Sequence, residues 1–536
     1  MRHPRKIAPA LGLLLIVLAF QPVALRADNL SAAPPDQLGK VNFPTSCVAD
    51  VQPVIEKGVA LLHSFQYKES EQTFTDAAKR DPKCAMACWG KAMALFYQIW
   101  EFPNDKKLKE GRKDIEKAQK LRPSSAREQG FLEAAVIFYQ KKSKLTHTER
   151  IKAYSDSLER LYARSPGDVE VGAFYALSLV SLSYADEPNM LAHQKKAISV
   201  LQPLLQQYPD HPGIAHYLIH ATDRPELAAE GLEAARRYAA IAPDSAHALH
   251  MPSHIFVRLG LWQDSINSNI AANASGAHAA EMHLAESHYQ THAMDFLSYS
   301  YLQSGQEAKA REVIAHADHV VGANEENKAG DRAYLAARTA LELHRWKEAA
   351  ALPIPPIHKD WLNTAYLARA IGAARSGDVA GAEAAVKEFS QIVVDREKRA
   401  RKEGYGVSSE KATDLREAEG WLAFAKGKPD DALQELRAAA DHEDKNGGES
   451  VNVPAREMLA DMLLEVKRPA EALAEYKTVL KNSPNRFDGL LGAARSAQAT
   501  GDAGDAQSFY AKLAEICGAG ADRPELNEAK TYLAQK

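Results

Sequence analysis

A short turn pattern that returns along most of the chain constrains the fold more than any other feature of this sequence. Each copy has a turn, followed a few places later by a small residue, between stretches that favour helix. Pro209 and Pro243 end two such stretches, and their spacing of about 34 residues lies in the range of periods that marks a repeat array. Copies of the pattern occur in "HSFQYKESEQTFTDAAKRDP" near the start, "LGLWQDSINSN" (from Leu259), "SGQEAKAREV" (from Ser304), "SGDVAGAEAAV" (from Ser376), "KGKPDDALQEL" (from Lys426), "VKRPAEALAEYKTVLKNSP" (from Val466) and "TGDAGDAQSFY" (from Thr500).

These segments resemble the tetratricopeptide repeat family, in which every unit is a pair of antiparallel helices. Small residues such as Ser265 and Ala506 stand where paired helices approach each other, and a proline ends the second helix. Runs of alternating β-branched residues, which predict strands, are absent from the sequence. We therefore predict an all-α fold, a tetratricopeptide-type α-solenoid formed as a right-handed superhelix of helix pairs. Such an array also suits a chain of 536 residues, which is too long for one ordinary core.

The first 27 residues have the composition of a secretory signal peptide. Arg2, Arg5 and Lys6 precede the apolar stretch "LGLLLIVLAF" at 11–20, which is too short to span a bilayer comfortably. Cleavage is expected after Ala27, and no cysteine follows closely enough for lipid attachment. We expect a periplasmic or secreted protein with no membrane span after signal removal. The alternative is an uncleaved interfacial or anchoring helix.

Composition shifts along the mature chain predict its organisation. The formal net charge of −4 provides no basic footprint, so a nucleic-acid partner is not expected. "LPIPPIHKDW", with three prolines, is the best candidate for a seam between two arms. The predicted segments are a signal peptide at 1–27, an N-terminal extended segment at 28–52, an N-terminal array at 53–351 with His-rich central units at 210–305, the Pro-rich seam at 352–361, and a C-terminal array at 362–536.

The four cysteines are interpreted in the light of export, because disulfides persist in oxidising compartments. Cys84 and Cys88 stand four residues apart, which is not the C-x-x-C spacing of redox motifs. We favour a disulfide from Cys47 to Cys84 that attaches the N-terminal segment to the array. Free buried cysteines are the alternative.

The histidines are concentrated in the central units, where 10 of the 19 lie between positions 211 and 292. His216 and His250 are separated by the same number of residues as Pro209 and Pro243, and so are His220 and His254. Matching histidines therefore take the same places in the first helices of two units, where each unit's pair is spaced i, i+4 on one helical face. The family resemblance implies that first helices line a concave groove, and neighbouring helices pack about 8–10 Å apart. Imidazoles from adjacent helices are therefore expected to converge on a single ion.

The predicted metal ligands are the imidazoles of these units, with carboxylates that ligate the ion or orient a ring. Zinc or copper(II) suits such a set, and iron becomes an option if carboxylates take part. Pro252 predicts a kink beside the cluster, because proline disfavours helix at Met251. The predicted metal ligands are His216, His220, His250, His254 and His292, and the predicted supporting or groove residues are Asp223, His247 and Asp295.

Two further interpretations of the histidines stay open: a groove that recognises a peptide or small ligand, and a hydrogen-bonded polar network without metal. Segments 58–94, 209–262 and 288–305 together resemble a narrower group of exported bacterial tetratricopeptide proteins, which implies a fold and a His-rich core but no reaction. We therefore expect an exported scaffold whose groove binds a protein, peptide or ligand partner and a transition metal. The alternative is a metalloenzyme whose three histidine ligands leave a coordination position open. Whether the chain is an enzyme stays undecided by the sequence, which has no HEXXH motif.

Overall fold

The computed structural model describes residues 37–99, 103–141, 145–283, 287–403, 411–448, 450–518 and 520–535. The predicted signal peptide at 1–27 lies outside these ranges. Within them the regular elements are α-helices and short 3-10 helices, with no strand. The all-α prediction is therefore confirmed. The 3-10 helices are Ala49–Val51, Glu187–Asn189, Ala317–His319 and Lys359–Leu362.

The α-helices follow one another with short connections. The first half of the chain contains α1 (Gln52–His63), α2 (Tyr67–Arg80), α3 (Ala85–Ala94), α4 (Asp105–Leu121), α5 (Ala126–Tyr139), α6 (His147–Arg164), α7 (Val169–Ala185), α8 (Met190–Gln207), α9 (Pro212–Thr222), α10 (Ala228–Ile241), α11 (Ala246–His250), α12 (Pro252–Arg258) and α13 (Trp262–Glu281). The second half contains α14 (His288–Gln303), α15 (Glu307–His316), α16 (Glu325–Glu342), α17 (Trp346–Ala350), α18 (Asn363–Arg375), α19 (Val379–Glu403), α20 (Thr413–Ala425), α21 (Pro429–Asn446), α22 (Ala455–Glu465), α23 (Pro469–Asn482), α24 (Phe487–Thr500), α25 (Ala503–Ile516) and α26 (Leu526–Ala534).

The helices form stacked pairs. α1 packs on α2, and α3 packs on α4, and this alternation continues to α10. α11 and α12 together act as the first helix of the next pair, with α13 as its second helix. The first helix of a pair also contacts the first helix of the next pair. Examples are the contacts of α1 with α3 and of α22 with α24. The predicted α-solenoid is confirmed by this arrangement.

Small residues set how closely the paired helices approach. Gly90 on α3 lies against the ring of Phe74 on α2, and a Cβ at position 90 would overlap that ring. Gly492 on α24 stands in the same relation to Tyr476 on α23. A glycine at these places lets an aromatic ring of one helix fill the space beside the next, which is how each pair buries its apolar face.

The C-terminal helices pack against the units that carry the histidines. Arg258 on α12 donates to the carbonyl oxygens of Gly447 and Gly448, which follow α21, over 3.0 and 2.8 Å. The indole of Trp262 on α13 donates to the carbonyl oxygen of Asn485, over 2.9 Å. Residues distant in sequence thus support the central units. The predicted division into two arrays at 352–361 stays a prediction.

A disulfide anchors the N-terminal part. Cys47 and Cys84 form the pairing that the sequence favours, and it joins the segment before α1 to the start of α3. Cys88 and Cys517 are free and buried. Burial raises the pKa of both thiols, so they stay protonated at neutral pH and act as small apolar side chains.

A buried ionic cluster joins three helix pairs in the C-terminal half. Arg486, just before α24, donates to Glu342 on α16 over 2.8 Å and to Glu457 on α22 over 2.6 Å, and all three side chains are inaccessible to solvent. Arg486 also donates to the hydroxyl of Tyr299 on α14 over 2.8 Å. One guanidinium therefore satisfies groups from helices that are far apart in sequence.

We expect Arg486→Met to lower the free energy of unfolding by about 3–5 kcal/mol, because it leaves buried carboxylates without their cation. Adding Glu342→Gln and Glu457→Gln to this variant restores most of the loss. The matched control is Arg495→Met, at a half-exposed pair with Glu528, which changes stability by less than about 1 kcal/mol. Urea unfolding followed by circular dichroism measures all three. Equal losses for Arg486→Met and Arg495→Met contradict the interpretation.

Candidate metal centre

The histidines of the central units form two clusters of three imidazoles. The inner triad is His216, His220 and His247, and the outer triad is His250, His254 and His292. In each triad, one ring nitrogen from every residue lies within 4.8 Å of the others. The five predicted ligands are therefore divided between two points, and the single-ion arrangement expected from the sequence is corrected to two candidate sites. His247, predicted as a groove residue, belongs to the inner triad.

The solenoid builds both triads in the same way. His216 and His220 lie on α9, and His247 reaches them from α11 of the next pair. His250 at the end of α11 and His254 on α12 meet His292 on α14. Each triad is thus an i, i+4 pair from one unit plus one histidine from the following unit.

The helix that carries the outer pair is broken, as Pro252 predicts. α11 ends at His250 and α12 begins at Pro252, with Met251 between them in helical conformation. The break does not separate the two rings, because the Nε2 atoms of His250 and His254 are 3.1 Å apart.

Hydrogen bonds to Nδ1 orient the outer imidazoles. The Nδ1 atom of His250 lies 2.7 Å from Oδ1 of Asn269, whose Nδ2 donates to the carbonyl oxygen of Ser265 over 2.8 Å. The amide oxygen therefore faces the imidazole, and Nδ1 of His250 must donate. Nδ1 of His254 donates to the Asp223 carboxylate over 2.8 Å. In the neutral rings both Nε2 atoms then carry a lone pair, and these lone pairs face each other.

The nitrogen separation in the outer triad matches metal coordination. Two nitrogens bound to one tetrahedral ion at 2.0–2.1 Å are separated by about 3.3 Å. The two Nε2 atoms of His250 and His254, at 3.1 Å, are close to that value. Two facing lone pairs repel each other unless a proton or a cation lies between them. The geometry is therefore suited to a cation.

Asp223 connects the outer triad to its surroundings. Besides His254, it accepts hydrogen bonds from Nε of Arg258 over 2.8 Å and from the hydroxyl of Ser450 over 2.9 Å. Burial favours the neutral acid, but Arg258 and His254 outweigh it and hold the pKa of Asp223 well below its usual range. The carboxylate is thus charged and committed to orienting His254.

The inner triad is held by the last residue of α1, His63, and by Phe65 in the turn that follows. Nδ1 of His216 donates to the carbonyl oxygen of His63 over 2.6 Å, which leaves the lone pair of His216 on Nε2. The Nε2 atoms of His220 and His247 lie 3.1 and 2.9 Å from it. The ring of Phe65 covers the triad, with its centroid 4.3 Å from that of His216.

Burial favours the neutral form of His216, His220, His247 and His250. It lowers the pKa of His220 to about 3, and neighbouring imidazoles such as His254 add to the effect. Burial likewise lowers the pKa of His216, His247 and His250 well below the ordinary value. Neutral rings carry the lone pairs that a metal ion requires, so little proton competition is expected at neutral pH.

Asp295 forms an ion pair at the edge of the cavity. It pairs with Arg338 and accepts a hydrogen bond from the hydroxyl of Tyr334 over 3.1 Å. The two triads do not include it, although it lines the cavity beside them. Its place along the cavity fits the predicted groove residue, and the prediction that it ligates the ion or orients an imidazole stays a prediction.

A third cluster, behind the inner triad, was not expected as a unit. Glu170 on α7 bonds Nε2 of His63 over 2.8 Å and Nε2 of His211 over 3.1 Å, and Nδ1 of His63 lies 2.8 Å from the hydroxyl of Tyr217. The three members come from different helix pairs, so no spacing in the sequence could relate them. Because its carboxylate is bonded by two imidazoles, Glu170 fixes His63, whose carbonyl orients His216.

A cavity of about 580 Å³ adjoins both triads. It is reached by His247 of the inner triad and by His250 and His292 of the outer triad. A space of this size accommodates a small molecule. The other lining residues are Tyr97, His288, Tyr289, Thr291, Asp295, Asp331 and Tyr334.

Comparisons with known proteins assign no activity to this chain. No family model and no curated protein matches it. A tetratricopeptide repeat protein from Parabacteroides merdae is similar at 14% identity, covering 54% of this chain and 97% of that chain, with a TM-score of 0.30. Yeast Tom70 is similar at 11% identity, covering 91% and 96%, with a TM-score of 0.34. A human IFIT1 dimer with m7Gppp-AAAA is similar at 12% identity, covering 85% and 95%, with a TM-score of 0.36.

The repeat type follows from the helix pairs of the chain itself. Successive antiparallel pairs stack first helix on first helix, and His216 and His220 recur as His250 and His254 in the next pair. This chain is an α-solenoid of stacked helix pairs, the fold that the tetratricopeptide pattern predicts. Because these three structures are only 11–14% identical to this chain, neither their partners nor their activities are assigned to it. In its described residues, no helix is long and apolar enough to cross a membrane.

We expect the solenoid, kept metal-free with a chelator, to lose stability as the pH falls below about 6.5, the pKa of histidine in an unfolded chain. In the folded state the pKa of His220 is about 3. Between pH 6.5 and pH 3 the unfolded chain therefore binds a proton at this residue that the folded chain does not bind. Each such histidine contributes up to about 1.4 kcal/mol per pH unit.

Urea unfolding between pH 7.5 and pH 5 measures this slope. The His220→Gln variant should show a shallower slope over the same range. Half-buried carboxylates with a raised pKa, such as Asp331 at about 6, contribute equally to the wild type and the variant, so the difference between the two slopes reports His220. Identical slopes for the two proteins would contradict the expectation.

Proposed function

We propose that this solenoid is an exported transition-metal protein whose outer triad holds the ion and whose cavity admits a small ligand to it. The observation that carries the proposal is the 3.1 Å approach of Nε2 of His250 to Nε2 of His254. Nδ1 of His250 is bonded to Asn269 and Nδ1 of His254 to Asp223, so in the neutral rings the two Nε2 lone pairs face and repel each other. A cation shared with His292 removes the repulsion.

The ligand chemistry favours zinc or copper(II). The set consists of three neutral imidazoles, which suit these ions better than the oxygen-preferring ions. Iron was an option only with a carboxylate ligand. Asp223 is committed to His254 and Arg258, and Asp295 to Arg338. Iron is accordingly the weaker candidate.

The surroundings favour a small ligand over a peptide. His250 is buried, and it lines a cavity of about 580 Å³, which is the size of a small-molecule site. Three protein ligands and an open position are the arrangement of catalytic metal sites, in which the ion activates a bound water or polarises a substrate. Metal-dependent chemistry on a small molecule is therefore the function that we propose. Binding of a protein or peptide in the concave groove stays a prediction of the sequence.

Export is part of the proposal. It is supported by the composition of residues 1–27 and by the disulfide between Cys47 and Cys84, since disulfides persist in oxidising compartments. An oxidising periplasm also suits a thiolate-free site, because imidazole ligands are not lost to oxidation.

The first test is the metal content of the mature protein, purified from its own compartment without a His tag or chelator. We expect His250→Ala/His254→Ala to bind at least one ion fewer per chain than the wild type, by elemental analysis and by calorimetric titration with Zn²⁺ and Cu²⁺. Added metal should raise the melting temperature of the wild type more than that of the variant, because ligand binding to the folded state alone stabilises it.

The matched control is His278→Ala/His316→Ala, which removes two exposed imidazoles. This control should keep the full metal content. Unchanged metal content in His250→Ala/His254→Ala, with helicity preserved, would overturn the proposal.

A second test asks whether the ion has an open position facing the cavity. In the copper(II)-loaded protein, azide should bind the ion and change its visible spectrum. Thr291 lines the cavity, so Thr291→Trp should weaken azide binding by about tenfold or more through loss of space. The copper content of this variant should be unchanged. Absence of any azide effect on the wild type would show a closed coordination sphere.

A further inference from the structure

The outer triad has a counterpart one helix pair upstream. We propose that the inner triad of His216, His220 and His247 holds a second zinc or copper ion, so that the two triads form one two-metal centre. The claim that one small molecule in the cavity contacts both ions rests on the function proposed above. The occupancy of the inner triad rests on its own geometry.

The two triads are copies generated by the repeat. His216 and His220 precede His250 and His254 by one repeat length each. The third members, His247 and His292, come from the first helices of the next pairs. They are more than one repeat length apart, with the long helix α13 (Trp262–Glu281) between them. A repeat that builds one metal site therefore supplies the same ligand positions to the unit before it.

The nitrogen positions of the inner triad call for a cation. His216 uses Nδ1 to donate to the carbonyl oxygen of His63 and has one lone pair left, on Nε2. Two other Nε2 atoms, from His220 at 3.1 Å and His247 at 2.9 Å, approach this single lone pair. One lone pair accepts one good hydrogen bond, so in the neutral triad one of these two contacts has no hydrogen between its nitrogens. An ion bound by all three nitrogens removes that repulsion, and nitrogens on one tetrahedral ion are about 3.3 Å apart.

The surroundings hold the inner triad rigidly and keep water away from it. His216 is inaccessible to solvent, and the ring of Tyr238 stacks on its ring with centroids 5.2 Å apart. On the other side, Phe65 stacks on the rings of His220 and His247, with centroid distances of 5.7 and 5.6 Å. Phe65 has a φ of 55°, the left-handed conformation that His344 and Lys467 also adopt in the corresponding turns of other pairs.

The two triads are close enough to act together. The ring centroids of His220 and His254 are 6.2 Å apart, and those of His247 and His250 are 6.4 Å apart. One cavity reaches both triads, since His247 and His292 line the same space. A small ligand with two oxygen donors can therefore contact both ions.

The experiment is a metal titration of the chelator-stripped, full-length mature protein with Zn²⁺ and with Cu²⁺, followed by desalting and elemental analysis. Two matched variants remove one triad each: His220→Gln/His247→Gln for the inner and His254→Gln/His292→Gln for the outer. We expect two ions per chain in the wild type, one in each variant and none when the variants are combined.

Folding is checked by circular dichroism at each step. If the inner double variant loses helicity, the single variant His220→Gln replaces it, and it should also retain one ion. One ion in the wild type, lost from the outer variant and kept by the inner variant, would overturn the second site and leave the proposed function standing. No bound ion in the wild type would overturn both.

Electron paramagnetic resonance tests whether the two ions are neighbours. In the copper(II)-loaded wild type, coupling between adjacent ions should make the signal smaller or broader than the sum of the signals of the two variants. Each variant should give the signal of an isolated copper ion. A wild-type spectrum equal to that sum would show two independent sites and would contradict a two-metal centre.

Discussion

Each helix pair of this chain can bury its apolar face only against the next pair, and this constraint fixes the register on which the rest of the structure depends. Contacts such as Gly90 against Phe74 and Gly492 against Tyr476 repeat one packing solution in different units. Because the units stack in register, the same places of one first helix meet the same place of the next first helix in successive units. His216 and His220 therefore meet His247, and one repeat later His250 and His254 meet His292.

The histidines are buried within that stack, and their orientation then matters more than their number. Buried imidazoles need partners, and Asn269, Asp223 and the carbonyl of His63 supply them at Nδ1. These partners select the tautomer, and the tautomer turns the Nε2 lone pairs toward one another. The same arrangement that satisfies one side of each ring leaves the other side suited to a cation. This combination distinguishes the triads from a polar network that closes on itself.

Parts of the chain that are remote in sequence complete both triads. The last residue of α1 and the turn that follows supply the carbonyl and the aromatic ring that hold the inner triad. On the other side, Ser450 and the carbonyl groups of Gly447 and Gly448 bind the Asp223–Arg258 pair, which orients His254. The first helix pair and the C-terminal helices therefore converge on the central units. The buried cluster around Arg486 helps to keep the C-terminal helices in place, because it ties α24 to α14, α16 and α22.

The sequence by itself determined the all-α solenoid, the matching places of His216 with His250 and of His220 with His254, and the helix break at Pro252. These features are local or periodic, and helical geometry converts spacing directly into face and register. Only the tertiary structure decided that the histidines separate into two triads, that His247 is a member of one, and that Asp295 pairs with Arg338. It also brought Glu170 to His63 and His211. Such groupings depend on how far neighbouring helices are rotated and on contacts between distant segments, and no spacing along the chain records either quantity.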